Sequence, residues 1–274
     1  MVNRVWIGGG NNKADNAKLW DPTGVPQPTD NTVFVNQGTM NVDNFDVGQF
    51  EVRGNATINM HNGNAVAVVL TQAAFNLKGD NTLVLQPMGG ASVTVDLAAN
   101  SHWIGSFSDF GGTLVINGGN KSSMVSNGNG GVSGGLSAFI NVAVEGTGQL
   151  VAFGGGKLEF GQAVGAGQNV ALNGAGSIVQ IDKPEAFAGH FDMGFVPNAG
   201  GGEQIDLIGL ANADSYTFQN DMLSIFAGNK VIDTLRLHDS TANGFVVERA
   251  TGSVNVVAIS DPNNPPVGLP IHQG

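Results

Sequence analysis

The sequence contains no cysteine. That removes disulfides, thiolate metal ligands and cysteine nucleophiles in one step, and it is common among proteins that bacteria export unfolded. Charge is scarce as well: charged residues make up 12% of the 274, against about 25% in an ordinary soluble domain. Arginine occurs only at positions 4, 53, 236 and 249. With Lys+Arg 11 against Asp+Glu 22 the formal charge is −11, and no basic stripe offsets it, so no nucleic-acid partner is expected. Long apolar runs are missing too. Nothing approaches ~18 consecutive apolar residues, so no membrane span is expected. The first 30 residues hold no apolar core of signal-peptide length; export would use an uncleaved C-terminal signal or a leader outside this sequence.

Glycine is plentiful, at 42 residues, and with the many asparagines would suggest disorder. Yet 41% hydrophobic residues, including 15 Phe, supply enough apolar area for a core. From Thr32 to Ile181 the apolar residues alternate in short runs without helical periodicity. Strands are expected at Thr32–Val35, Gln49–Gly54, Ala56–Asn62, Ala65–Leu70, Thr82–Gln86, Ser92–Leu97, Gly112–Asn117, Ala138–Glu145, Gln149–Phe153, Lys157–Phe160, Asn169–Leu172 and Ser177–Ile181. Gly, Asn or Asp occupies nearly every gap, as tight corners require.

Paired hairpin signals are few, whereas single corners such as Gly54-Asn55, Gly79-Asp80 and Gly146-Thr147-Gly148 recur. The pattern therefore favours an all-β fold, a right-handed parallel β-helix (β-solenoid). Three short strands per coil would take about 20–25 residues, giving about six or seven rungs stacked ~4.8 Å apart. Inward Val, Ile, Leu and Phe would form ladders, with Asn ladders at the corners.

Residues 1–31, with Trp6, Trp20, Pro22, Pro26 and Pro28, read as an N-terminal cap, and 32–182 as the solenoid. Within it Gly111–Gly135 is expected to be a protruding loop or loosely wound rung. Residues 183–260 read as a C-terminal β-rich cap or continuation, with strands at Gln204–Ile208, Tyr216–Gln219, Leu223–Phe226, Ile232–Leu237, Phe245–Glu248 and Val254–Ile259; 261–274 read as a Pro-rich extended tail.

Two segments carry a resemblance. Trp6-Ile7-Gly8-Gly9, then Leu19-Trp20-Asp21-Pro22-Thr23-Gly24-Val25-Pro26, then Asp30-Asn31-Thr32-Val33 resembles the opening of large bacterial surface proteins, in which W-x-G-G leads to N-W-x-x-G-x-P and G-D-T-V. Leu19 stands for the usual Asn and Thr29 for the usual Gly. Phe187-Ala188-Gly189-His190-Phe191, Gly194-Phe195 and Gln204-Ile205-Asp206-Leu207 are similar to the F-x-G-x-I … G-F … G-D-x-I-D-L pattern of autotransporter passengers and haemagglutinin-like adhesins. The resemblance implies a β-helical scaffold at the cell surface, with type I export as one route, and leaves the receptor open. An autotransporter would also need a membrane β-barrel outside this sequence.

Candidate sites are few. Gly131-Val132-Ser133-Gly134-Gly135 spells G-x-S-x-G, but a nucleophile elbow needs a strand before the serine and a helix after it, and glycine-rich sequence flanks both sides. Gly201–Ile208 is one degenerate copy of a calcium nonapeptide, with Gln204 where Gly is needed and no tandem partner. Asp43 with Asp46 is the other corner suited to calcium, the one cofactor considered. Glu51 with Arg53, and Glu145 with Glu159, are carboxylate groupings that a polysaccharide hydrolase or lyase on this fold would use, but solvated strand faces are the favoured explanation. Trp103 and Phe107 beside Asp109 offer a sugar-stacking platform or simple packing. The histidines, at 61, 102, 190, 238 and 272, lack metal-ligand spacing.

No catalytic residues are expected. The sequence points to a secreted structural or adhesive bacterial surface protein, a non-enzyme able to self-associate through solenoid ends or lateral faces into filaments, a surface layer or biofilm matrix. The alternative is a carbohydrate-active enzyme or carbohydrate-binding module on the same scaffold, with surface glycans as partners.

Overall fold

A computed structural model of the chain describes residues 3–7, 13–25, 32–35, 38–43, 46–62, 64–86, 90–107, 112–194, 202–238, 245–258 and 269–273. The chain forms two compact units, Met1–Gly128 and Asn129–Gly274. Both are β-solenoids: parallel strands stack rung on rung, and the described residues outside strands include only two short 3-10 turns, Ala17–Leu19 and Pro184–Ala186.

In the first unit one stack of segments runs through Gly38–Asp43, residues 55–61 and 72–77, Ser92–Leu97 and Thr113–Gly118, each parallel to the last and in register. Alternation puts every second residue inside. The register therefore piles Met40, Ile58, Phe75, Val95 and Ile116 into one buried column, with Val42, Met60, Leu77 and Leu97 in the next. Each such side chain contributes about 1.5–3 kcal/mol by leaving water. A second stack joins Thr32–Val35 to residues 50–52, 65–68 and 82–86, and Asp80–Gln86 to His102–Phe107 and Ser123–Val125.

The early rungs are shorter than the 20–25 residues expected. Equivalent positions lie 18 and then 17 residues apart before lengthening to 21. These rungs also lack three separate strands. Asp46–His61 and Asn64–Lys78 are single long strands, and the corner in the former is absorbed by a register irregularity between Glu51 and Asn55. A second corner uses left-handed backbone at Asn62, Gly79, Asn100 and Lys121, with φ of 51°, 74°, 56° and 58°. There the Asn62 amide oxygen accepts from the Asp80 N–H at 3.1 Å, and a Cβ at Gly79 would sit 2.1 Å from that oxygen, so a larger residue at this rung must displace the Asn62 amide.

At its N-terminus the unit begins with Asn3–Trp6, parallel to Thr32–Val35 and antiparallel to Trp20–Asp21. Trp6 and Trp20 are buried edge to face at 4.9 Å, and the Trp20 indole donates to the Ala14 carbonyl at 2.7 Å. Gly111–Gly135, expected as a protruding loop or a loosely wound rung, is wound into the fold where it is described, so the rung reading holds and the protruding loop does not. It supplies Thr113–Gly118, Ser123–Val125 and Asn129–Ser133, with Leu114, Ile116, Met124 and Val132 buried. One or two apolar residues suffice per rung because the rungs above and below complete the column, and its polar groups bond locally, as where the Ser122 hydroxyl donates to the Gly119 carbonyl at 2.7 Å.

The second unit has the three sides per turn that the sequence suggested, two of them formed by strands on every turn. Asn129–Ser133, Gln149–Phe153, Asn169–Asn173 and His190–Gly194 form one stack; Ser137–Ile140, Lys157–Phe160, Ile178–Ile181 and Gln204–Ile208 form another. The third runs through Ala143–Glu145 and the bridges Val144 to Val164 to Phe187. The expected strand Ala138–Glu145 is thus two strands with a corner at residues 141–142. Parallel stacking continues beyond residue 182, through His190–Gly194 and Gln204–Ile208.

Antiparallel pairing then closes both stacks. Residues 236–238 of Lys230–His238 add in parallel to residues 190–192, and Met222–Ala227 and Ser215–Gln219 follow as hairpins. On the other stack Ser253–Ala258 covers Gln204–Ile208, and Phe245–Ala250 covers it in turn. The end of the expected linker is paired as well: Leu269–Pro270 lies against residues 248–249, His272–Gln273 against residues 215–216, and Ile271 is buried. Each of these two-residue strands pairs with only part of its neighbour, two of the six residues of Phe245–Ala250 and two of the five of Ser215–Gln219.

Asp233 is a buried acid of this C-terminal part. It is only 7% exposed, and burial pushes its carboxyl up to about 6, with Glu185 adding to the rise and the Thr234 N–H opposing it. A pKa raised above its ordinary 3.8 means the folded state holds the proton longer than the unfolded one, so Asp233 costs no stability below about pH 4 and an increasing amount as pH rises towards 6. Asp233→Asn is expected to flatten that slope and raise stability at pH 7 by about 1–2 kcal/mol, after allowance for solvent screening. Urea titrations of both proteins at pH 4 and pH 7 check this; equal slopes would contradict it.

Candidate ligand-binding face

The outward residues of the first unit's stack are as regular as the inward ones. Thr39-Met40-Asn41, Thr57-Ile58-Asn59, Ala74-Phe75-Asn76, Thr94-Val95-Asp96 and Val115-Ile116-Asn117 superpose rung by rung. The middle residue of each triplet is buried and its neighbours face out. Register therefore sets Asn41, Asn59, Asn76, Asp96 and Asn117 in a line. The Asn59 amide donates to the Asn41 oxygen at 2.7 Å, Asn76 to Asn59 at 2.8 Å and Asn117 to the Asp96 carboxylate at 3.0 Å. Parallel rungs at ~4.8 Å bring identical amides into this geometry without further adjustment.

Beside the line, Asp43, His61 and Lys78 are register partners. Asp43 lies 3.8 Å from both the Lys13 ammonium and His61 Nδ1, half-exposed contacts that contribute little stability. Together these residues line a groove of about 580 Å³, whose walls run from Asn41 and Asp43 through Asn59, His61, Asn76 and Lys78 to Asp96 and Ala98.

The second unit presents a different face. Phe139, Glu159, Gln180 and Asp206 are in register, and Lys157 donates to Glu159 at 2.9 Å and to Gln180 at 2.7 Å while its ammonium lies 5.9 Å from the Phe139 ring centre. Burial raises the Asp206 carboxyl above its usual range, opposed by the Gln204 amide that donates to it and by Lys157. These polar groups satisfy one another.

Most sequence candidates are dispersed by the fold. Ser133 ends the strand Asn129–Ser133 and is followed by a Gly134-Gly135 turn and another strand, so the helix of a nucleophile elbow is absent there. In the nonapeptide-like segment Asp206 faces Gln180, and Glu203 is buried with one oxygen accepting from the Gly174 N–H at 3.1 Å. Asp43 sits in the groove, whereas the side chains of Asp46 and Arg53, and hence the Asp46 and Glu51–Arg53 groupings, lie outside the described residues. Glu145 and Glu159 occupy different strand stacks.

The sugar-stacking platform is overturned. Trp103 and Phe107 are fully buried, the indole donating to the Leu83 carbonyl at 2.6 Å, because they occupy inward positions of His102–Phe107; Asp109 lies outside the described residues. Of the histidines, His102 bonds the Ser123 hydroxyl at 2.8 Å, and His190 and His238 meet at 5.9 Å between ring centres. The side chain of His272 lies outside the described residues. Among the described residues no three His, Asp or Glu side chains converge on a metal position.

The amide line went unrecognised in the sequence, where Asn ladders were expected at corners. Its signal is T-x-N and its relatives recurring 17 to 21 residues apart, visible once rung length is known. Comparisons with protein-family models, curated proteins and solved structures find no match to the chain.

Proposed function

We propose that this protein is a non-catalytic structural or adhesive component displayed outside a bacterial cell. The observation that carries this reading is the line of Asn41, Asn59, Asn76, Asp96 and Asn117: a stack of rungs that repeats a polar side chain at one outward position suits presentation of a surface, with binding strength drawn from repetition. The two resemblances to surface proteins agree with it, as do the absence of cysteine and the low charge.

Self-association fits lateral faces better than the closed C-terminal stacks, whose antiparallel hairpins would have to open before another rung could add.

Immunogold labelling of the producing bacterium tests the reading. Label outside the envelope is expected, and label confined to the cytoplasm would overturn it.

A further inference from the structure

We infer that the groove along Asn41, Asn59, Asn76 and Asp96 binds an uncharged polysaccharide chain lying parallel to the stacking axis; this rests on the surface-display reading above.

The first ground is hydrogen-bonding capacity. A side-chain amide has two N–H donors and two acceptor lone pairs. Asn59 spends one donor on Asn41 and one lone pair on Asn76, two bonds that fix its amide plane while using two of its four hydrogen-bonding positions. A sugar hydroxyl both donates and accepts, and a pair of neighbouring hydroxyls matches the side-by-side N–H and oxygen of an immobilised amide. Fixing the amides in advance also lowers the ordering cost of binding.

The second is charge. The chain as a whole carries −11, yet Asp43 and Asp96 in the groove are offset by Lys78 and by Lys13, which lies 3.8 Å from Asp43. A locally balanced groove on an acidic molecule favours a neutral ligand, and an acidic polysaccharide meets long-range repulsion.

The third is length. The lining spans four rungs, and three steps of ~4.8 Å give a track of about 14 Å, suited to an extended oligomer rather than a single ring. The exposed Ala98 at its end gives an apolar surface for the C–H face of a sugar and leaves space there.

Retention on insoluble cellulose, chitin and curdlan, with alginate and pectate as acidic comparators, tests this with the purified full chain. Retention on at least one neutral polymer is expected, weakened at least tenfold by Asn76→Ala. Ala98→Trp is expected to do the same, because it fills the groove from an exposed position and leaves the rung-to-rung amide bonds in place; its thermal midpoint should stay at the wild-type value. Three results would overturn the inference: no neutral polymer retained, retention unchanged in folded Ala98→Trp, or salt-sensitive preference for the acidic polymers. If no glycan is retained while immunogold label lies outside the cell, only the inference fails; cytoplasmic label would remove the display reading independently.

Discussion

Phe75→Ala is expected to destabilise the protein by about 3–5 kcal/mol, the largest effect of any single truncation considered. Phe75 is 0% exposed and lies in the middle of the inward column, with Ile58 on the rung before it and Val95 on the rung after. In a globular core a lost side chain can be replaced by movement from several directions. Here each rung is tied to its neighbours by backbone hydrogen bonds in fixed register, so the walls cannot close on the cavity without breaking the ladder. Thr57, on the adjacent rung but facing out, gives the comparison: Thr57→Ala should change stability by about 0.5 kcal/mol or less. Denaturant titration of the three proteins measures both values, and equal losses at the two positions would place Phe75 outside a packed column.

Gly112→Val should cost about 3 kcal/mol or more, for a different reason. A Cβ at Gly112 would lie 1.7 Å from the Ala91 carbonyl oxygen and 2.7 Å from the Ala91 nitrogen, both backbone atoms of the preceding rung. No rotamer change relieves that clash. The Thr113 N–H donates to the same carbonyl at 2.8 Å, so relief requires separating Ser92–Leu97 from Thr113–Gly118 at the point where their register begins. Gly128 lacks such a neighbour, its nearest being the Ser106 side chain at 3.7 Å, and Gly128→Ala should be tolerated. Thermal unfolding of the two variants separates the cases; comparable midpoints would argue against close approach of rungs at Gly112.

The inward half of this architecture is readable from the sequence because period-two alternation is a local property. Ser92–Leu97, Gln149–Phe153 and Lys157–Phe160 occupy the residues expected of them. Rung length is not local. It depends on where corners fall, and the corner between Glu51 and Asn55 leaves a strand unbroken, so the short first rungs were hidden. Without rung length, Asn41, Asn59 and Asn76 are unrelated asparagines, and the line they form stays invisible. For Trp103 and Phe107 the sequence left a sugar-stacking platform beside simple packing; parity along His102–Phe107 places both inside, so packing is the reading that holds.

The whole account depends on parallel rungs in the stated register, and the absence of cysteine makes that register directly measurable. Thr57 and Ala74 are outward-facing register partners on adjacent rungs, and Thr94 is the next partner beyond Ala74. Adjacent parallel strands at ~4.8 Å fall within the span a disulfide bridges, whereas two rungs at roughly twice that do not. Oxidation of Thr57→Cys/Ala74→Cys should give an intramolecular disulfide, read as the loss of both free thiols in monomeric protein, and Thr57→Cys/Thr94→Cys should give none. The reverse pattern, or no cross-link in either, would contradict the stacked register and the amide line built on it.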